Sequence, residues 1–208
     1  MLFCLMWDGH DYTSADLCGL DSRKQSDFWR YNSIMQILTE IHYSGGADTN
    51  GKTVYRTAVR AVILHGRRLL MVFSAAVGDY KFPGGGVNDG ESHEQALARE
   101  LREECGASLL SVDGELGAVI EYNSAKEKEF DLFKMTSHYY FCQVEDGFGA
   151  QDLDEYERDL GFKPVWIDID SAISANRILL ELQTPPEWLR REIFVLEHIR
   201  GIIDLLHK

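Results

Sequence analysis

The feature that most constrains this chain is a glycine loop that runs directly into a helix with three closely spaced carboxylates. Residues 85–107 read GGVNDGESHEQALARELREECGA. At about 100° of rotation per residue, Glu100, Glu103 and Glu104 fall within one arc of roughly 100°. Like charges at this spacing repel each other, and each pair costs a few tenths of a kcal/mol. A bound divalent cation would compensate this repulsion.

An apolar arc lies beside the acidic arc of the same helix. Leu97, Ala98, Leu101 and Cys105 have the spacing of a face that packs on a core, and Gly106 is typical of a helix C-terminus. Carboxylate oxygens at this density suit Mg²⁺ or Mn²⁺ better than Zn²⁺, which favours His and Cys ligands. The residue types therefore predict a helix that packs on one side, while its acidic side either binds a hard cation or is a solvated charged face.

The spacing of this segment resembles the Nudix box. The matching positions are Gly85, Glu91, Arg99, Glu100, Leu101, Glu103, Glu104 and Gly106. The preceding Phe82-Pro83-Gly84 is the usual lead-in of that family, whereas Ala107 stands where the family has a larger aliphatic residue. The order of strands and helices looks Nudix-like from about residue 52 to 180. The resemblance implies an α/β fold, namely an α/β/α sandwich with a mixed β-sheet.

The resemblance also implies an activity, the Mg²⁺-dependent hydrolysis of a pyrophosphate bond in a nucleoside diphosphate linked to another group. Nucleoside triphosphates, dinucleoside polyphosphates and nucleotide sugars are such compounds, and Mn²⁺ could replace Mg²⁺. The implied metal ligands are Glu100, Glu103 and Glu104, with Glu100 or Glu104 also able to orient or deprotonate water. Arg99 would fix a glutamate by ion pairing, and Glu91 would steady the junction between loop and helix. Phosphoryl chemistry needs positioning and charge neutralisation more than a covalent nucleophile.

Several residues near the loop are candidates for substrate binding. They are Gly84, Gly85 and Gly86 of the loop and the cations Arg56, Arg60 and Lys81. Cations there would offset the acidic field, although surface solvation explains each of them equally well. Tyr122 lies near where the dinucleoside-polyphosphate hydrolases of the family carry a base-stacking tyrosine, but cross-strand packing is an alternative. Glu155 and Glu157 are candidates for an additional metal ligand or base, although a solvated loop carboxylate is the commoner case.

Composition and charge narrow the class of partner. The 208 residues are 45% hydrophobic, enough for one domain with additions. A net charge of −13 argues against binding long nucleic acids, and the resemblance implies a small nucleotide-type substrate. The chain has no apolar run long enough for a membrane span. Its four cysteines lack the spacing of a disulfide framework, which favours reduced thiols and a cytoplasmic location.

Segment patterns predict the organisation of the chain. Residues 1–50 form an N-terminal extension of unclear role with a helix near 27–40, and residues 51–208 form the Nudix hydrolase domain. Strands are predicted near 53–64, 69–73, 80–82, 115–123, 135–144 and 163–168, and helices near 91–105, 169–176 and 186–207. The last, long C-terminal helix carries an apolar stripe that predicts core packing or a contact between the copies of a homodimer. The extension is a candidate for a dimer arm, extra packing or a cap over the pocket.

Two other functions remain open at this point. A non-catalytic Nudix-like sensor would bind nucleotides without releasing products. An interaction module would use the N-terminal region and the final helix and would be indifferent to the glutamates. The presence of all three helical glutamates favours an active hydrolase.

Overall fold

Two four-stranded β-sheets form the centre of the molecule. The computed structural model describes residues 6–7, 10–11, 36–43 and 51–206. The strands are β1 (Met6–Trp7), β2 (His10–Asp11), β3 (Ile37–His42), β4 (Thr53–Val62), β5 (Leu64–His65), β6 (Arg68–Ser74), β7 (Asp79–Lys81), β8 (Leu109–Ser124), β9 (Leu132–Val144) and β10 (Phe162–Asp168). The helices are α1 (His93–Glu100), continued by a π-helical turn (Leu101–Cys105), α2 (Glu155–Leu160), α3 (Ile169–Leu180) and α4 (Leu189–Leu206).

The larger sheet is mixed, with parallel and antiparallel pairs. Its order is β3-β8-β9-β4, in which β3 is parallel to β8, β9 is antiparallel to β8, and β4 is parallel to β9. The other sheet has the order β10-β6-β5 with β7 also paired to β6, and all of its pairs are antiparallel. The short strands β1 and β2 pair with each other. This connectivity confirms the predicted mixed sheet.

Alternating side chains of β4 serve two separate cores. Val59 and Ala61 pack in a cluster with Leu97 and Leu101 of the α1 segment. Val62, which points the other way along the strand, packs in the cluster that holds the buried residues of α3 and α4. Because successive residues of a strand point to opposite faces, helices cover both faces. The α/β/α fold class is therefore confirmed.

The helix predicted near 27–40 is wrong where the structure describes it. Ile37–His42 is the strand β3, which pairs with β8 along its length. The β-branched residues in this segment suit a pleated strand, and pairing with an existing sheet overrides a helical spacing. Residues 27–35 lie outside the described part of the chain. Since β3 belongs to the same sheet as β4, this part of the N-terminal region packs with the domain, and the division at residue 51 stays a prediction.

The C-terminal helix α4 packs in the core. Its stripe of Leu189, Ile193, Leu196, Ile199 and Ile203 is buried, so the core alternative is confirmed for these positions. Dimer formation stays a prediction. Within the described residues, none of the helices combines the length and the apolar character needed to cross a membrane.

Candidate functional site

The glycine loop lies between β7 and α1 and is fixed to the edge of β4. Ala61 N–H donates to the Pro83 carbonyl at 2.8 Å, and Val59 N–H donates to the Gly85 carbonyl at 2.9 Å. Gly84 has φ +134°, and a side chain there would collide with the Val59 carbonyl oxygen. A side chain at Gly85 would collide with the Glu100 carboxylate. Glycine is therefore required for the loop to lie directly against the acidic helix.

The helix that carries the glutamates is not a single α-helix. Ser92 caps α1 through a capping box with Gln95. After Glu100 the backbone changes to a π-helical turn over Leu101–Cys105, which ends at Gly106 with φ 65°. The sequence predicts one continuous helix over 91–105, whereas the structure places Glu103 and Glu104 on the wider turn. Such π turns occur preferentially at functional sites.

Three carboxylates converge beside the loop. One oxygen each from Glu100, Glu104 and Glu157 lies within 4.8 Å of the others. Glu100 and Glu104 are 7% and 6% exposed, and Glu157 is half-buried. We call these residues the acidic trio. Glu157 arrives from α2, a short helix that begins at the capping residue Asp154 where the sequence predicted only a loop.

Burial opposes the ionised form of each member of the acidic trio. It raises the pKa of the Glu104 carboxyl to about 8, against the opposing effect of a hydrogen bond donated by Gly84 N–H at 2.6 Å. Burial also raises the pKa values of Glu100 and Glu157. Three oxygen donors that are costly to ionise and point at one place fit a hard divalent cation. The residues present therefore fit the implied metal.

Arg99 links the loop, the loop-to-helix junction and the helix. It donates to both oxygens of Glu91 at 2.8 and 2.9 Å, to Glu100 at 2.7 Å and to Glu103 at 3.1 Å. It also donates to the Gly86 carbonyl at 2.9 Å. The hydrogen bond from Arg99 lowers the pKa of Glu91 to about 2. Glu103 is therefore held by Arg99 and lies outside the acidic trio, although the sequence grouped it with Glu100 and Glu104.

The loop and the acidic trio form one wall of a cavity of about 460 Å³. The three cations Arg56, Arg60 and Lys81 also line it. Arg60 donates to the Gly84 carbonyl, and the Lys81 ammonium lies 3.9 Å from the centre of the Phe162 ring. Burial lowers the pKa of Lys81. The structure thus brings these cations together with the carboxylates, an arrangement that suits an anion bound through a metal.

Two residues selected from the sequence lie away from the cavity. Tyr122 stacks on His42 with ring centres 4.5 Å apart, while its neighbours Glu121 and Asn123 line the cavity. Because side chains alternate along β8, Tyr122 points to the other face of the sheet. Glu155 is exposed on α2 and does not line the cavity either. Of the two acidic candidates in this segment, only Glu157 reaches the site.

Other cavity residues escaped sequence reasoning. They are Tyr43 of the N-terminal region, Glu121 of β8, and Trp188 and Arg191 at the start of the last helix. The sequence does place one charged residue, Glu192, on the apolar stripe of the last helix, next to Arg191. Glu192 lies three residues after Leu189 and four before Leu196. A charged residue on the buried face of a helix requires a partner. Tyr43 has no comparable local signal, because only the pairing of β3 with β8 brings it to the cavity.

Comparison with known proteins agrees with this geometry. The NUDIX domain family matches residues 54–189, well over half of the chain. An RNA pyrophosphohydrolase of a Nitratiruptor species is 30% identical over an alignment of 102 residues, and the match covers 45% of this chain and 66% of that protein. An RNA pyrophosphohydrolase of a Sulfurovum species is 33% identical over an alignment of 104 residues, and the match covers 46% of this chain and 66% of that protein. The chain thus spans just under two thirds of these relatives.

Solved structures include similar chains as well. A NUDIX hydrolase from Nitrosomonas europaea has a TM-score of 0.49 and 23% identity, covering 71% of this chain and 90% of its own. A MutT NUDIX hydrolase from Burkholderia pseudomallei has a TM-score of 0.45 and 21% identity, covering 67% and 96%. The family match decides to which family this chain belongs. It spans the glycine loop, the glutamate helix and the last strand. This chain belongs to the NUDIX family, as the spacing within residues 85–107 predicts.

Proposed function

We propose that this protein is a metal-dependent hydrolase that cleaves a pyrophosphate bond in a nucleotide-type substrate. The observation that carries the proposal is the acidic trio, whose oxygens lie within 4.8 Å of one another. The trio faces the same cavity as the glycine loop and three cationic side chains. Metal-binding and phosphate-binding groups therefore meet in one place, as phosphoryl transfer requires.

The acidic trio would hold the cation, for which Mg²⁺ is the proposed ion and Mn²⁺ the substitute. Such an ion would polarise phosphoryl oxygens and neutralise the charge that develops on them. Arg56, Arg60 and Lys81 would bind the remaining phosphate oxygens. Glu100 or Glu104 would orient the attacking water or accept its proton.

Arg99, Glu91 and Glu103 have supporting roles in this proposal. Arg99 holds Glu100, Glu103 and the Gly86 carbonyl together. Glu91 anchors Arg99 and also accepts a hydrogen bond from Asn88 N–H at 2.9 Å. Glu103 lies beyond the trio and would act on the metal through water, since Mg²⁺ usually keeps several water ligands.

The substrate is the less defined part of the proposal. A cavity of about 460 Å³ is large enough for a nucleotide, so nucleoside triphosphates, dinucleoside polyphosphates and nucleotide sugars stay the proposed class. RNA is a second candidate, because both curated relatives are named RNA pyrophosphohydrolases. The net charge of −13 opposes extensive contact with an RNA backbone, so an RNA substrate would have to bind mainly through its end.

A substrate panel tests the proposal. Nucleoside triphosphates, dinucleoside polyphosphates, nucleotide sugars, ADP-ribose and a short 5′-triphosphorylated RNA would each be incubated with Mg²⁺ or Mn²⁺. Released phosphate, pyrophosphate and nucleoside monophosphate would be measured. We expect metal-dependent release from at least one compound and none with EDTA. Binding without release at any metal concentration would instead establish a sensor, and neither binding nor release would favour an interaction module.

A cytoplasmic location stays a prediction, in keeping with the free thiols of Cys105 and Cys142.

A further inference from the structure

A buried glutamate of the last helix holds the beginning of the glycine loop. Glu192 is fully buried, and one of its oxygens accepts a hydrogen bond from Phe82 N–H at 3.0 Å. Its other oxygen accepts two hydrogen bonds from Arg191, at 3.1 Å from Nε and 2.8 Å from Nη2. Phe82 directly precedes Pro83 and Gly84. The C-terminal helix therefore contacts the loop through a charged and fully desolvated group.

Arg191 continues this contact across the sheet. Its Nη1 donates to Glu121 of β8 at 2.6 Å, and the other oxygen of Glu121 accepts a hydrogen bond from the Tyr43 hydroxyl at 2.8 Å. The side chains of Arg191 and Glu121 are only 4% and 5% exposed. We call Tyr43, Glu121, Arg191 and Glu192 the arginine network. It joins the N-terminal region, the mixed sheet and α4 to the loop.

The loop is held at a second point by the acidic trio itself. Gly84 N–H, two residues after the Phe82 N–H, donates to Glu104 at 2.6 Å. One amide is thus fixed by α4 and the next by a proposed metal ligand, with the rigid Pro83 between them. A shift of Phe82 would move Gly84 and change the position of the Glu104 carboxylate. Displacements of about 1 Å at a distance from the reacting atoms can cost on the order of 100-fold in rate.

We propose that Glu192 and Arg191 are positioning residues, which hold Phe82 so that Gly84 aligns Glu104 within the acidic trio. This inference rests on the proposed function of the trio as a metal site. The residues that would position the metal ligands are therefore spread over the whole chain. The same network accounts for the position of Tyr43 at the cavity.

The alternative is that the arginine network only stabilises the fold. A purely structural role predicts that its variants lose stability and that the folded fraction keeps its metal affinity and turnover. A positioning role predicts a fall in turnover and a weaker metal affinity in protein that is still folded. Because the cationic side chains that would bind phosphate are untouched, KM for the substrate should change little.

The test compares Glu192→Gln with a control on the same helix. Glutamine is isosteric, but its NH2 group replaces one of the two accepting carboxylate oxygens, so either Phe82 N–H or the Arg191 guanidinium faces a donor instead of an acceptor. Ile203→Val is the control, since Ile203 is buried on the same helix, eleven residues beyond Glu192 and so about 16 Å further along it. Both variants would be studied below their melting temperatures. Mn²⁺ affinity would be measured by EPR, and kcat and KM with the substrate that the panel identifies.

For Glu192→Gln we expect kcat to fall about 10- to 100-fold, with KM within about threefold and Mn²⁺ affinity about tenfold weaker. For Ile203→Val we expect wild-type values of all three. Equal kcat and Mn²⁺ affinity in the two variants, at equal folded fraction, would overturn the proposal. Should Glu192→Gln fail to fold, Arg191→Lys keeps the charge but loses the forked geometry. In that variant an unchanged Mn²⁺ affinity would overturn the proposal equally.

The proposed activity of the acidic trio and the proposed positioning role of Glu192 and Arg191 can fail separately. If the wild type hydrolyses nothing in the panel, the proposed activity fails, whereas Mn²⁺ affinity still reports on the position of the trio. If the wild type does not bind Mn²⁺ at all, the metal site itself fails. If it binds Mn²⁺ and the Glu192 and Arg191 variants bind it equally well, only the positioning role is refuted.

Discussion

Two clusters of buried charge contact the beginning of the glycine loop, one at Phe82 and one at Gly84, and they differ in how their charge is balanced. In the arginine network a guanidinium lies between Glu121 and Glu192, with ion pairs of 2.6 and 2.8 Å. In the acidic trio three carboxylates share one space. Within the described residues, no Lys or Arg forms a salt bridge with Glu104 or Glu157, and Glu100 pairs only with Arg99.

The difference separates a cluster that is complete within the chain from one that requires a ligand. Burying a charge is costly unless it is paired. The arginine network supplies one guanidinium to its two carboxylates, and the Tyr43 hydroxyl and Phe82 N–H donate to their remaining oxygens. In the described part of the chain no Lys or Arg pairs with Glu104 or Glu157, and burial raises the pKa values of all three members of the trio. We infer that the first cluster supports the fold and the loop and that the second binds a metal.

The largest expected effect is the loss of turnover on removing a charge from the trio. Glu104→Gln should lower kcat by about 100- to 1,000-fold, since a ligand that also aligns the loop is neutralised. Stability in the absence of metal should not fall, because glutamine is neutral and removes the cost of protonating a buried carboxyl. Steady-state kinetics and urea unfolding measure the two quantities. The matched control is Glu94→Gln, which changes an exposed residue on the same helix and should behave as wild type. Comparable losses of kcat in both variants would contradict the distinction between the two clusters.

Removing the charge of Arg191 should lower the stability of the fold, whereas removing a charge from the trio should not. Arg191→Met leaves two buried carboxylates without a counter-charge, so the free energy of unfolding should fall by about 3–5 kcal/mol. Urea unfolding followed by circular dichroism measures it. A change in the free energy of unfolding below about 1 kcal/mol would show that the network contributes no more to stability than a surface ion pair.

Glu157→Gln tests the acidic candidate on α2 that reaches the site. We expect about a tenfold weaker Mn²⁺ affinity and a similar loss of kcat, because Glu157 is the most exposed member of the trio and the easiest for water to replace. Isothermal titration with Mn²⁺ and steady-state kinetics measure these values. The matched control is Asp159→Asn, an exposed change of charge on the same helix. An effect of Glu157→Gln no larger than that of the control would remove Glu157 from the site.

The smallest effect is a pH dependence of stability without metal. Burial raises the pKa of Glu104 to about 8, above its usual value of 4.5. The folded protein therefore holds a proton that the unfolded chain releases, and the free energy of unfolding should fall as pH rises from about 5 to 8. Saturating Mg²⁺ should reverse this slope, because it binds the ionised carboxylates. Thermal unfolding with EDTA and with Mg²⁺ would show both slopes; a metal-free slope that rises over this range would contradict the assignment.

The parts of the molecule that depend on short-range pattern are those that the sequence predicts well. The strands β4, β6, β9 and β10 lie close to their predicted positions, and the stripe on α4 is in the core. The loop and Glu100, Glu104 and Arg99 follow from spacing within 23 residues. In these segments local periodicity and tertiary packing favour the same conformation.

The remaining features depend on contacts between distant parts of the chain. Glu157 reaches the trio only because Asp154 starts a short helix, and Tyr43 reaches the cavity only because β3 pairs with β8. Tyr122 shows the converse, since a one-residue alternation in β8 turns it away from the cavity. The π turn at Leu101 also has no signature in the spacing of the glutamates. Sequence periodicity cannot specify such features, because they are set by tertiary pairing.

The central claim is that the acidic trio binds a divalent cation, and anomalous diffraction from a crystal soaked with Mn²⁺ and a nucleotide tests it most directly. We expect an anomalous peak within coordination distance of the carboxylates of Glu100, Glu104 and Glu157, with phosphate oxygens on its open side. A peak elsewhere, with these three side chains free of metal, would contradict the claim.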